Sequence, residues 1–429
     1  MPKVKTTECP KCGAPLNVAT GATQGICQFC GTVCQVEWGK KLRAVRQAPL
    51  TVYVPNPVPT RLLAAVGVSV LAILGTVIGI SMSARPVANP AAVAATDAEA
   101  VPITTLPATC GEHQEVLIVG QKFEGAGTLI SARDGCQVTI KDSTLKGNIV
   151  VLSQGYGVAV SVVGSTLEGT EYAFKGGDSS KLAGNDNAVF KGAEAAIFVG
   201  QNSQLTFNGV SVESAKVGIQ ASGNLNVSAT SSKIVGKNHG LRGASNITVD
   251  GTALSMKGGT AALEFELNLH LTLSGGLLEG GEAAILTRDA NADLKLSHGA
   301  ALKGHESALS VPSNLQLDME EASIDGDESG IVVQSNPKLH LGPKARIHGA
   351  KFAVKITMGN LELDMRDATI ESESVAVCST TVIKLIAHGS KLSGGVDAFR
   401  FGRQPREINL VETTVSGKQR FNAKNCDLR

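Results

Sequence analysis

Apolar and polar positions in the C-terminal three-quarters of the chain follow a long repeat, not the short period of an isolated helix or strand. A hydrophobic residue followed two places later by glycine recurs at Phe123, Leu145, Leu167, Phe190, Ile234, Met256, Leu278, Leu302, Ile324, Ile347, Leu392 and Val415. Val212 and Ile370 fill two further rungs with serine in place of the glycine. The fourteen rungs are spaced by 22, 22, 23, 22, 22, 22, 22, 24, 22, 23, 23, 22 and 23 residues, which predicts stacked supersecondary units, each one coil of a solenoid. Two more columns keep this phase. Six places after the reference residue, from Ala173 to Ala398, eleven successive coils carry Ala or Gly, marking a tight corner. The corner leads into apolar residues such as Ile197, Ile219 and Leu263 and then into strand-like alternation. A second alternating run reads L-x-L in Leu269/Leu271, Leu294/Leu296, Leu315/Leu317 and Leu339/Leu341. Each coil is therefore expected to hold at least two short strands besides the one around the reference residue.

Just before the L-x-L run stands one asparagine per coil: Asn202, Asn224, Asn246, Asn268, Asn291, Asn314, Asn336 and Asn360. Asparagine tolerates turn conformations, and its amide can bond to the same amide one coil above and below, so the column predicts an asparagine ladder. The ladder is also expected to account for the sequon-like triplets at Asn226 and Asn246. On these columns, residues 110–429 resemble the right-handed parallel β-helix of the pectin-lyase-like superfamily. The expected class is all-β, a right-handed parallel β-helix of about 14 coils with a 22–24 residue repeat. At about 4.8 Å between stacked strands the rod would be roughly 60 Å long.

A different pattern precedes it. From Leu62 to Ala84 no charged residue occurs for 23 positions, enough for about 34 Å of helix at 1.5 Å per residue. The stretch begins after a 61-residue head, which argues for a retained transmembrane anchor and against a cleaved signal peptide. Lys40, Lys41, Arg43, Arg46 and Arg61 precede it and only Arg85 follows closely, so the positive-inside rule places the N-terminus in the cytoplasm and the body in the periplasm or outside the cell. Gly75 and Gly79 form one GxxxG pair, a weak signal for helix pairing. Residues 85–109, rich in Ala, Pro and Thr, read as a linker.

The head carries Cys9-Pro-Lys-Cys12 and Cys27-Gln-Phe-Cys30, two CxxC knuckles separated by 14 residues. Two hairpin tips at this spacing bring four thiolates onto one tetrahedral zinc. Residues 6–38 resemble bacterial zinc-ribbon domains, which implies structural zinc on Cys9, Cys12, Cys27 and Cys30. A head this small has almost no core, so the metal would supply most of its folding free energy. Cys34 is a fifth, spare thiol. The expected organisation is a zinc ribbon over 1–40, a basic juxtamembrane segment over 41–61, the anchor over 62–84, the linker over 85–109 and the β-helix over 110–429. Cys110, Cys136, Cys378 and Cys426 lie near the two ends of the rod. They allow three pairings, one of which, Cys110 with Cys136 and Cys378 with Cys426, would tie both ends.

Composition narrows the function classes. The net charge of +1 argues against nucleic acid as a partner, although residues 1–61 carry eight basic and two acidic residues and residues 86–429 carry 30 basic and 36 acidic. Three Tyr and one Trp supply few stacking platforms for sugars. Enzymes of the β-helix superfamily use acidic clusters with Ca²⁺, Arg or Lys, or several Asp with a His and an R-I-K stretch. Here Asn238-His239-Gly240 and Arg346-Ile347-His348 echo only fragments of the second pattern, about five coils apart. No catalytic residue is assigned. The one surface candidate is an acidic stack, Glu282, Glu306 and Glu328, on a turn of three consecutive coils beside His305, Asp325 and Asp327. Carboxylates about 5 Å apart can hold Ca²⁺ or share a proton, but Glu171, Glu194, Lys216 and Lys351 occupy the same column, as in a solvated turn. The expected role is a single-pass membrane protein that binds or scaffolds. Its rod would meet an envelope polysaccharide or protein, and its zinc ribbon a cytoplasmic protein. A polysaccharide lyase or hydrolase and a transmembrane signalling protein are the alternatives.

Overall fold

The computed structural model describes residues 101–423 apart from Asp289, together with Cys426 and five short N-terminal strands. The chain divides into two compact units, residues 1–94 and 95–429. In the first, Val4–Glu8 pairs antiparallel with Pro15–Ala19, and Val33–Gln35 pairs antiparallel with both Gln24–Ile26 and Arg43–Ala44. The candidate zinc ligands Cys9, Cys12, Cys27 and Cys30 and the expected anchor over 62–84 lie outside the described residues. Among the described residues, no helix is long and apolar enough to cross a membrane.

The second unit is an all-β parallel solenoid. In one coil Ala301–Gly304 carries the reference residue Leu302, Ser307–Val311 follows the corner, and Leu315–Met319 carries the L-x-L run. Each of the three pairs in parallel with its counterpart in the next coil, Ser323–Gly326, Ser329–Val333 and Lys338–Leu341. The fourteen reference residues pair with one another in unbroken succession from Phe123 to Val415, across the 22-, 23- and 24-residue intervals alike. The register of this column survives the longer intervals because extra residues fall in turns between strands or at irregularities within long strands, as inside Thr166–Lys175 and Phe352–Arg366. One such turn, at His298 and Gly299, has φ values of 53° and 82°.

The columns fill the interior. Leu145, Leu167, Ile234, Met256, Leu278 and Ile347 are completely buried, as are Leu271, Leu294 and Leu317 of the L-x-L column. Each such side chain contributes about 1.5–3 kcal/mol by leaving water. From Gly169 to Gly394 the glycine two places after the reference residue has a steric cause. A Cβ at Gly258 would lie 1.8 Å from the Ala261 carbonyl oxygen, because the backbone folds back on itself at the bend. At the two serine rungs the hydroxyl bonds locally: Ser214 Oγ accepts from Lys216 N at 3.2 Å, and Ser372 Oγ donates to the Ala350 carbonyl at 3.0 Å.

The two ends differ. Residues 101–109, expected to be linker, belong to the solenoid: Val101–Pro102 pairs with the first coil at Val116 and Leu117, Ala108–Cys110 pairs with Ile130–Ala132, and Ile103 and Leu106 pack on the core. A single capping turn has no repeat to betray it, so its Ala/Pro composition read as spacer. The cysteines form Cys110–Cys136 and Cys378–Cys426, with Cα–Cα distances of 6.1 and 5.8 Å, so each disulfide ties one end. Near the C-terminal end Asp397 is fully buried; Arg400 Nη2 donates to its Oδ2 at 2.6 Å and Arg420 Nε to its Oδ1 at 2.7 Å.

Candidate binding groove

The asparagine ladder forms along its whole length. Each side-chain amide donates to the carbonyl oxygen of the asparagine one coil earlier, at distances from 2.8 Å (Asn246 to Asn224) to 3.5 Å (Asn336 to Asn314). Asn202, Asn224, Asn246 and Asn336 have φ between 41° and 57°, the left-handed region that asparagine tolerates better than most residues. Asn226 stands outside the ladder, on the exposed face of the strand, so the ladder accounts for the triplet at Asn246 and not for the one at Asn226. Each ladder amide spends one N–H and its oxygen on its neighbours, which leaves the second N–H to donate elsewhere.

Beside the ladder runs an open groove of about 600 Å³ spanning five coils, bounded by Asn246, Asn268, Asn291, Asn314 and Asn336. Its other wall is the outward column of the L-x-L sheet, Thr248, His270, Asp293, Gln316 and Lys338, which the strand register stacks one above another. His270 Nδ1 lies 3.0 Å from Asp293 Oδ2. The Asp293 side chain as a whole is about half exposed to the groove, and its Oδ1, turned away from solvent, has no hydrogen-bond partner among the described residues. Lys338 Nζ is 3.9 Å from Glu362. The groove thus offers donors and acceptors at the spacing of the coils with nearly balanced charge. That suits a hydroxyl-rich polymer better than a polyanion.

The acidic stack is placed as the sequence suggests but is not a convergent site. Glu282, Glu306 and Glu328 are exposed on consecutive coils, and Glu306 N donates to the Glu282 carbonyl at 3.0 Å. Glu328 is taken up by Lys351, 2.7 Å away, whose ammonium holds the carboxyl below its ordinary pKa. The same column carries a Glu194–Lys216 pair at 2.7 Å. His305 donates to Asp327, 2.7 Å away, and this bond raises its pKa. Among the described residues no group of three or more His, Cys, Asp or Glu side chains is arranged to hold a metal ion.

The two motif fragments lie apart. His348 Nδ1 meets Asp325 at 2.8 Å, whereas His239 Nε2 lies 3.2 Å from Glu264, which is also 3.5 Å from Arg242 Nε. Burial lowers the His239 pKa, outweighing the attraction of Glu264. A neutral ring protonated on Nε2 satisfies Glu264 and leaves Nδ1, buried and without a partner, as an acceptor. Sequence reading missed both this cluster and the His270–Asp293 pair. The available signal was the coil period: Arg242 and Glu264 are 22 residues apart and His270 and Asp293 are 23 apart. Comparison of the chain with protein families, with characterised proteins and with solved structures found no match in any of the three.

Proposed function

We propose that this is a membrane-anchored binding protein whose solenoid presents the groove beside the asparagine ladder to an extended envelope polymer. The single observation that carries the reading is the open groove that crosses five coils between the ladder asparagines and the stacked column Thr248, His270, Asp293, Gln316 and Lys338. The half-exposed His270 and Asp293 side chains can meet ligand hydroxyls from one wall, and the ladder's spare N–H groups repeat at coil spacing along the other. Two disulfides in the solenoid accord with an oxidising compartment on the far side of a membrane from the reduced thiols of the head. The anchor over 62–84 rests on its uncharged length, and the cytoplasmic head on the basic residues before it. The zinc-ribbon reading rests on cysteine spacing and on two antiparallel strand pairs, whose connecting residues 9–14 and 27–32 contain the four cysteines. A ribbon of this kind would dock a cytoplasmic protein. Right-handed winding is taken from the preference of parallel strand crossovers for that hand, and the pectin-lyase-like relationship from the coil length and the asparagine ladder.

The test is retention of the full chain, in detergent, on a panel of cell-wall and acidic polysaccharides with and without Ca²⁺. The expected result is retention on a neutral, hydroxyl-rich polymer without release of reducing or unsaturated ends, weakened by Asp293→Ala and His270→Ala. Retention unchanged by both substitutions, or none on any polymer, contradicts the reading. Release of sugar ends would instead make the chain a lyase or hydrolase and turn attention to His270–Asp293 and the Glu282, Glu306 and Glu328 stack.

A further inference from the structure

The two ends of the solenoid are finished differently. At the N-terminal end the edge strand Val101–Pro102 carries a proline, which removes a donor from the edge, and Ile103 and Leu106 cover the first coil. At the C-terminal end the last two strands, Glu407–Val411 and Thr414–Arg420, contain no proline and lie exposed. Among the described residues no later strand is registered on Glu407–Val411. Ile408 continues the column of the buried Leu385, and Leu410 that of the buried Ala387. Yet Ile408 is 39% exposed; Val411, on the outer face of the same strand, is 41% exposed, and Phe421, packed on Phe399 and Phe401, is 38% exposed.

The strand Glu407–Val411 is self-complementary. The Val411 carbonyl accepts from Gly389 N, so it faces the preceding coil, and by alternation along the strand the backbone groups of Ile408 and Leu410 face the open edge. If a second copy approaches antiparallel with Asn409 opposite Asn409, Ile408 falls opposite Leu410 in a hydrogen-bonded pair, and the same pair forms again across the two-fold axis. Both inward-facing apolar side chains then continue the interior from one copy into the other. Just outside the strand, the same register brings Arg406 toward the second copy's Glu412, at the turn that follows Val411, at both ends of the pairing. Neither residue makes an ion pair in its own chain among the described residues.

We propose that the C-terminal coil is a self-association face, through which two copies join end to end in an isologous dimer by antiparallel pairing of Glu407–Val411. The occupant is a second copy because apolar pattern and charge both complement themselves in one register, as a two-fold interface requires. The proposal does not depend on the groove or its ligand.

In this register Asn409, exposed on the outer face, forms a non-hydrogen-bonded pair with its copy. Such a pair places Cα atoms about 4.5 Å apart, within disulfide range. The full chain carrying Asn409→Cys should form a disulfide-linked dimer under mild oxidation. Asn208→Cys, exposed on the same sheet far from the end, should not, and the unsubstituted chain reports any background from the head cysteines. Adding Ile408→Glu should slow the crosslink roughly tenfold, the factor that about 1.4 kcal/mol represents. Ile408 is already partly exposed, so the fold should persist, which circular dichroism checks. As a second route, Arg406→Glu should slow the crosslink and Arg406→Glu with Glu412→Arg should restore it. Crosslinking at 409 no faster than at 208, or indifferent to both the Ile408 and the charge substitutions, overturns the proposal.

Discussion

Replacing Gly258 by alanine adds one methyl group in the middle of the solenoid, where the bend after Met256 brings the chain back on itself. The new Cβ would sit 1.8 Å from the Ala261 carbonyl oxygen, 2.6 Å from its carbon and 2.8 Å from the Asn238 carbonyl oxygen. All three are backbone atoms, so no side chain can swing away, and the bend itself must shift. Gly258 pairs with Gly236 in the preceding coil and Gly280 in the next, so a displaced bend also disturbs its neighbours. Overpacking of this kind typically costs about 1–3 kcal/mol, and the backbone contact places Gly258→Ala at the upper end. Serine at the same position should cost about 1 kcal/mol less. At Ser372, on an equivalent rung, the hydroxyl donates to the Ala350 carbonyl and accepts from Ser374 N at 3.1 Å, and one net hydrogen bond is worth about that much. Urea denaturation followed by far-ultraviolet circular dichroism measures both variants. A Gly258→Ala midpoint equal to that of the unsubstituted chain, or a Gly258→Ser midpoint below that of Gly258→Ala, would refute the claim that the rung glycines exist for this bend.

Asn268 bonds to Asn246 and Asn291, whereas Asn202 has one ladder partner, Asn224; Asn268→Ala should therefore cost about 1–2 kcal/mol and lower the urea midpoint by more than removal of the Asn202 amide does in Asn202→Gly, a change that keeps the positive φ accessible. Breaking Cys378–Cys426 with Cys378→Ser opens a link between residues 48 apart, worth about 4 kcal/mol in the chain-entropy picture, and should lower the midpoint at the C-terminal end first, as local hydrogen exchange would report. The His239 pKa is lowered in the folded chain, so the stability tied to its neutral form is present above the unfolded value of about 6.5 and is lost as pH falls through the folded value. Nuclear magnetic resonance titration should find the His239 ring still mainly neutral at pH 6.5, and a ring half protonated there or at higher pH would contradict the burial argument.

The columns were legible because a solenoid writes its geometry directly into sequence: residues one coil apart touch, so the interval between Leu278 and Leu302 is a statement about contact. The eight ladder asparagines could be read for the same reason, each being held by the one before it. What the sequence did not display is whatever depends on where the extra residues fall. His270 and Asp293 are neighbours only because one extra residue lies between the strands that carry them, and counting 22 from His270 lands on Ala292 instead. The His239–Glu264 contact crosses coils diagonally, so no single column contains it. The capping strand Val101–Pro102 occurs once, and a pattern that occurs once has no period.

The central claim is that the surface beside the asparagine ladder is where this protein meets its polymer. Hydrogen–deuterium exchange of the full chain, with and without the polysaccharide that retains it, tests this most directly. The account predicts added protection confined to the L-x-L strands and their preceding turns between residues 246 and 338. Protection centred on the turns that carry Glu282, Glu306 and Glu328, with none beside the ladder, would contradict it.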